Sequence, residues 1–399
     1  QMNTTQKSFR QLFIPIYLEL LFSIFAGTVD TLMLSTVGDQ AVGGVGTANT
    51  YISVFVIMFM VITSGMTAVM TQYIGANQPG VARQALRLGL AIGAVFGILL
   101  SAFLSLGAQW LLQTLGIAEQ LLPHARVYMQ IVGAFCVCNA LIPIYSSYLC
   151  AFGHTAPTMT AAIAGNIVNL ALNSVFLFLF RWGVWGVALA TSISKVVHLL
   201  WVMIASRRRI KIPKADHLPE NRLILAQIFR VGLPAATESF LYNVSVTLIL
   251  RFLNQMDATG MQVTARSYAM QIAAFSFCGG TALSRANAIL VGWRIGMREF
   301  EQCRRDTHKI ARIGILFMLA VSYSLSRVKW TMRKPYMNMA MVINLFPGFM
   351  SMVAVYFILK ALGMTEGDKI YLSLIICYSS GAGVGFHVMK GYMDTIPKA

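Results

Sequence analysis

Charge is what this chain has least of. Only 11% of its 399 residues are Asp, Glu, Lys or Arg, while 57% are hydrophobic and the mean hydropathy is +0.67. A chain so poor in charge cannot cover itself with a water-compatible surface, so its folded form belongs in lipid. No glycine-rich phosphate loop ending in Gly-Lys-Ser or Gly-Lys-Thr is present, which excludes ATP hydrolysis of the P-loop type. Six cysteines are scattered among the expected helices. Cys136 and Cys138 lie two apart, so on a helix they point to different faces, and no nearby His completes a metal set. No nucleophile–base arrangement can be read, so the chain is not expected to be an enzyme, and neither metal nor organic cofactor is expected. No cleavable signal peptide is expected, because the first apolar run is too long and no small-residue cleavage site follows it.

Long apolar runs fill the space that charge leaves. They lie near residues 12–35, 43–73, 86–112, 125–151, 157–180, 184–205, 231–253, 262–291, 309–325, 336–362 and 370–390. With ~20 apolar residues needed per crossing, they predict an all-α polytopic membrane bundle of ~11 transmembrane helices. The net charge of +17 would suit nucleic acid, but Lys and Arg cluster between the runs rather than on one face, as topology signals do. Arg10 precedes the first run, Arg83 and Arg87 follow the second, and Arg207, Arg208, Arg209, Lys211, Lys214 and Arg222 follow the sixth. These loops belong in the cytoplasm, which predicts a multi-pass protein of the plasma or inner membrane with its N-terminus inside.

One unit is used twice. Pro15-Ile16-Tyr17-Leu18-Glu19 is matched by Pro234-Ala235-Ala236-Thr237-Glu238, and Ile74-Gly75 with Arg83 by Ile295-Gly296 with Arg304. A repeat of ~220 residues holding an even number of crossings keeps its orientation, which is the parallel-repeat design of many secondary transporters. The scheme fails after the ninth run, where a loop that should be external carries Arg327, Lys329, Arg333 and Lys334. Repeat and charge rule break together, which predicts a change of ancestry near Ala320–Tyr323.

Asp30 is the sharpest candidate for chemistry. An unpaired carboxylate in hydrocarbon costs at least ~2.5 to 3.5 kcal/mol, so it should face a cavity or a partner. It lies ~27 Å along a helix that starts inside, in the outer half of the bilayer. On the fifth crossing Asn166, Asn169 and Asn173 form an i, i+3, i+7 ladder, with the last two ~16 and ~22 Å deep. Depth and polarity thus converge on one outer-half site, though such a ladder can equally join neighbouring helices. Lys195 on the sixth crossing either counters Asp30 or snorkels to a loop, and His198 nearby is a weaker coupling candidate. Glu19 and Glu238, repeat mates ~10 Å inside the boundary, are secondary candidates. They either carry protons at the inner mouth or satisfy backbone groups freed by the preceding prolines. Arg285 reads as an interfacial anchor, and Gly89, Gly93 and Gly97 as a close-packing face.

The first ~320 residues resemble the multidrug and toxic compound extrusion (MATE) family. The resemblance rests on Val29-Asp30-Thr31-Leu32-Met33, Gln72-Tyr73-Ile74-Gly75-Ala76, the Gly153–Pro157 turn, and the segment from Gly183 to Thr191. It implies twelve helices in two six-helix lobes, and export of drugs or organic metabolites driven by H⁺ or Na⁺. Asp30 then matches the acid of the first helix, Asn169 the asparagine of the fifth, and Asn173 a place where members carry Asp or Asn. The family's glutamate on helix 7 lies about a turn beyond Glu238, so that role is not carried over.

Residues ~321–399 resemble a fragment of a maltose-type ABC sugar importer permease. The matching segments are Tyr323-Ser324-Leu325-Ser326-Arg327, the stretch from Asn344 to Ser351, and Gly391 to Ala399. The expected organisation is a MATE-like lobe (1–205), a cytoplasmic linker (206–230), a partial second lobe (231–320) and two foreign crossings (321–399) that lack the ATPase-coupling loop. The leading expectation is an H⁺- or Na⁺-coupled exporter of small organic molecules, weakened by its missing helices. The alternatives are a sugar importer's permease subunit or a fusion that inserts without transporting. Membrane lipid and a small organic substrate are the expected partners; nucleic acid is excluded, and an ATPase subunit is not expected.

Overall fold

The computed structural model describes residues 7–212, 219–256 and 261–327. Among them every regular element is helical: α1 (Phe9–Ser35), α2 (Asp39–Val56), α3 (Met58–Gly75), α4 (Pro79–Leu106), α5 (Ala108–Thr114), α6 (Leu122–Ala134), α7 (Cys136–Ala151), α8 (Thr155–Ser174), α9 (Val184–Arg209), α10 (Asn221–Met256), α11 (Met261–Gly296) and α12 (Phe300–Arg327). The chain divides into two compact units, residues 1–236 with 250–307 and residues 237–249 with 308–399. The second unit contributes the middle of α10 and most of α12 to the described residues.

Within the first unit, four helices are long and apolar enough to cross a membrane: α1, α4, α8 with its extension, and α9. Two bent pairs, α2 with α3 and α6 with α7, bring the number to six if each pair is one span. These six correspond to the first six apolar runs. The remaining crossings of the expected ~11 are not established among the described residues.

Both bends have side-chain hydrogen bonds beside them. Before the 50° break at Ile57, Thr47, Thr50 and Ser53 donate to the carbonyls of Gly43, Gly46 and Asn49, a back-bonding that bends helices. At the 49° break after Ala134, the Val137 N–H is taken by Ser101 Oγ of α4 at 2.9 Å. The third run also breaks, at Gly107, which separates α5 from α4. Pro15 inside α1 frees the carbonyl of Gln11, and Thr155 of α8 donates to it at 3.3 Å.

The internal repeat is visible in the backbone. After α3, Ala76, Asn77 and Gln78 donate to Gln72, Ile74 and Tyr73; after α11, Met297, Arg298 and Glu299 donate to Trp293, Ile295 and Arg294. Asn77 (φ 61°) and Arg298 (φ 60°) occupy the same left-handed position of these two turns. The repeat mates also touch. A Cβ on Gly75 would lie 2.3 Å from Trp293 O, and one on Gly296 2.0 Å from Gln72 O, so only glycine lets α3 and α11 cross this closely. Trp293, 1% exposed, donates from Nε1 to Ala151 O at 2.8 Å, and Tyr73 donates to Gln227 at 3.2 Å. This closed crossing lies at the end that carries Arg83 and Arg294. Gly89, Gly93 and Gly97 seat α4 against Met66, Ile144 and Val137, the close packing that their spacing suggested.

Candidate functional site

Asp30 sits five residues before the end of α1, where α1 packs along α8. Thr28 and Thr31 turn their hydroxyls back to the carbonyls of Ile24 and Gly27, so neither competes for the carboxylate. Asn173 Nδ2 donates to Asp30 Oδ1 at 2.7 Å, and the Asn173 side chain is fully buried. Asn169, 5% exposed, places the end of its amide 2.8 Å from Oδ2 and 2.7 Å from Oδ1. An ionised carboxylate only accepts, so the atom facing it is the amide nitrogen. Two amides of one helix face therefore clamp one acid of another. Charge-assisted bonds of this kind are roughly twice as strong as neutral ones.

Asn173 Oδ1 is buried and has no donor within reach among the described residues. It stands beside the carboxylate as an unused acceptor. Directly after Asn173 the helix changes gauge: Val175–Leu179 form a π-helical turn, with Phe180 donating to Val175 at 3.0 Å. Such turns recur at functional sites because the extra residue re-aims the side chains beside it. Tyr128 of α6 completes the surroundings, lying beside Asn49 and Thr191 and near enough to Asp30 to feel its charge. Sequence reasoning did not single out Tyr128, Asn49 or the π turn; the only available signal was the position of Thr191 at the end of the Gly183–Thr191 segment.

Other candidates go elsewhere. Asn166 is not a partner of Asp30, and its Nδ2 is buried without an acceptor among the described residues. Lys195 lies beside the Cys136 and Cys138 thiols of α7, so it does not serve as the counter-charge of Asp30. The reason is packing: α9 runs along α6, α7 and α8 and barely meets α1. Its depth differs too, about 16 Å from the start of α9, whereas Asp30 is only about 8 Å from the end of α1. His198 rests against Gly165, with Nε2 buried and unpartnered among the described residues.

The carbonyl freed by Pro15 accepts from Thr155, while Glu19 bonds to α8 instead. Its Oε2 lies 2.8 Å from Thr158 Oγ1, which is also 2.7 Å from Thr155 O. One hydroxyl proton serves only one of these acceptors. Arg285 of α11 is exposed and is near enough for its charge to act on Glu19. Glu238 is on α10, and its side chain lies outside the described residues.

Residues 15–175, which contain Asp30, Asn169 and Asn173, match the MatE family model. The chain is 32% identical over 306 residues to the uncharacterized transporter YisQ of Bacillus subtilis, a match covering 74% of this chain and 66% of YisQ. It is 25% identical over 328 residues to a probable multidrug resistance protein NorM of Thermotoga maritima, covering 79% of this chain and 69% of the relative. The family match and the homologues support a MATE family transporter. The chain spans about two thirds of the length of these two relatives. Its fold is also similar to a solved outward-facing MATE transporter of the MOP superfamily, with a TM-score of 0.73, 19% identity, and coverage of 97% of this chain and 93% of that one.

Nothing in these comparisons supports an ABC sugar permease fragment over residues 321–399. Residues 328–399, on which most of that expectation falls, lie outside the described residues. The supposed junction near Ala320–Tyr323 is within α12, a helix that continues without interruption from Phe300 to Arg327.

Proposed function

We propose that this MATE-like chain is a cation-coupled antiporter that exports small organic molecules, and that Asp30, Asn169 and Asn173 form its coupling site. The observation that carries the reading is the 2.7 Å bond from Asn173 to Asp30, made between two helices inside a membrane bundle. A carboxylate there is stable only while something compensates its charge, whether amide donors, a proton or a metal cation. An amide adapts to each case: its nitrogen donates to the ionised acid, and its oxygen accepts from the protonated one. The free Asn173 Oδ1 supplies, with the carboxylate, two oxygen ligands for Na⁺. Ion arrival therefore changes the α1–α8 contact, and that differential binding is what shifts a transporter between two packings.

The direction follows from charge. If the arginine-rich ends face the cytoplasm, the Gly75–Gly296 crossing closes the inner side and Asp30 faces the outer half. This supports an N-terminus on the inner side, with the coupling site reached from the outer half. The multidrug resistance named for the Thermotoga relative supports organic compounds as the substrate class. The sugar-importer alternative has no comparable support.

Ethidium uptake into proteoliposomes under imposed gradients tests the reading and separates the two ions. Either an H⁺ or a Na⁺ gradient is expected to accelerate uptake at least about tenfold over the ungradiented rate, a shift of about 1.4 kcal/mol or more. Equal rates with and without both gradients would refute coupling.

A further inference from the structure

A second site stands at the opposite end of the bundle from Asp30. Where the start of α1, the α7–α8 turn and the end of α9 meet, there is a cavity of about 700 Å³. Its upper rim carries Lys7, Arg208 and Arg209, and its lower wall carries Leu200, Trp201 and Ile204. No carboxylate lines it, and none of the three cations pairs with a carboxylate among the described residues. Lys7 Nζ donates one proton to Gly153 O at 2.7 Å and retains two.

This clustering is electrostatically uncomfortable as it stands. Burial, and then the charge of Arg209, lowers the Lys7 amine from its usual value. Burial, followed by Lys7 and Arg209, likewise holds His154 below the ordinary imidazole range. An anion among these groups would relieve the repulsion. The N-terminus of the 20-residue α8 points toward the same space through Thr155 and adds its dipole.

The apolar wall decides which anion fits. Leu200, Trp201 and Ile204 are 46%, 47% and 45% exposed on the outer face of the span. Leu200 lies about 12 Å along α9 from Arg208, the step from headgroup level into hydrocarbon. A soluble phosphate would use only the cationic rim, whereas a phospholipid would use both parts. We propose that this cavity binds an anionic phospholipid of the leaflet facing the basic helix ends, with its phosphate among Lys7, Arg208 and Arg209 and an acyl chain along Leu200, Trp201 and Ile204.

The proposal needs the membrane reading but not the coupling site, so its test involves no transport. The full chain, purified in detergent, is melted with added phosphatidylglycerol, phosphatidylcholine or glycerol 3-phosphate, and retained lipid is counted by native mass spectrometry. Phosphatidylglycerol is expected to raise the melting temperature by about 3 to 6 °C, with phosphatidylcholine and glycerol 3-phosphate giving less than about a third of that. Lys7→Gln combined with Arg209→Gln should remove the difference and the retained lipid. Arg304→Gln combined with Arg305→Gln, which removes as much charge elsewhere, should leave both intact. Should the double variant fail to fold, Arg209→Gln alone should at least halve the shift. Equal shifts from both lipids, or an undiminished shift in the pocket variants, would overturn the proposal. Glycerol 3-phosphate matching phosphatidylglycerol would overturn the lipid in favour of a soluble anion.

Discussion

Asp30→Asn is expected to reduce ethidium efflux to background, a loss of at least about tenfold, while the protein still reaches the membrane in normal amount. Asparagine has the size of aspartate and can exchange hydrogen bonds with Asn169 and Asn173, so packing between α1 and α8 survives. What disappears is the one group in the cluster whose charge an ion can change. Coupling needs a ligand that binds the two packings unequally, and three amides offer neither H⁺ nor Na⁺ such a difference. Efflux measured in cells lacking other exporters, normalised to surface expression, checks this. Undiminished efflux in the variant would remove Asp30 from the mechanism.

Gly296→Leu should produce the largest structural effect. A Cβ there would lie 2.0 Å from the Gln72 carbonyl, a backbone atom that cannot rotate aside. Overpacking of this kind costs about 1 to 3 kcal/mol, with the upper end applying when the backbone must move. The expected readout is a melting temperature lower by about 3 to 4 °C, or loss of monodisperse protein. Gly75→Leu should behave alike, and the double variant should lose less than the sum of the two, because both residues occupy one crossing. A Gly296→Leu variant melting like the parent would contradict so close an approach of α3 and α11.

These two predictions depend on features of different legibility. Gly75 and Gly296 announced themselves as repeat mates in the sequence, but their mutual contact is a property of the folded unit. Asp30, Asn169 and Asn173 were legible because ionisable and amide side chains are expensive in hydrocarbon and their depths coincide. Facing direction was not. Helix α1 is apolar nearly all round, so no polar stripe shows which side turns inward, and the same uncertainty hid that Lys195 faces α7. The bends at Ile57 and after Ala134 were invisible because the apolar runs continue through them; Ser101, the residue that satisfies the second, lies on a different helix. The π turn after Asn173 likewise leaves no mark in composition. Glu19 stood out in the sequence as an acid inside an apolar run, yet its partner Thr158 comes from α8, far away in sequence.

Labelling of the purified protein with dicyclohexylcarbodiimide, which reacts with protonated carboxyl groups in apolar surroundings, tests the clamp of α1 on α8 most directly and needs no substrate. Peptide mass spectrometry should find Asp30 modified, with modification falling as pH rises or as Na⁺ is added. An Asp30 that stays unmodified throughout, or whose modification is indifferent to both ions, would contradict a cation-binding acid between these helices.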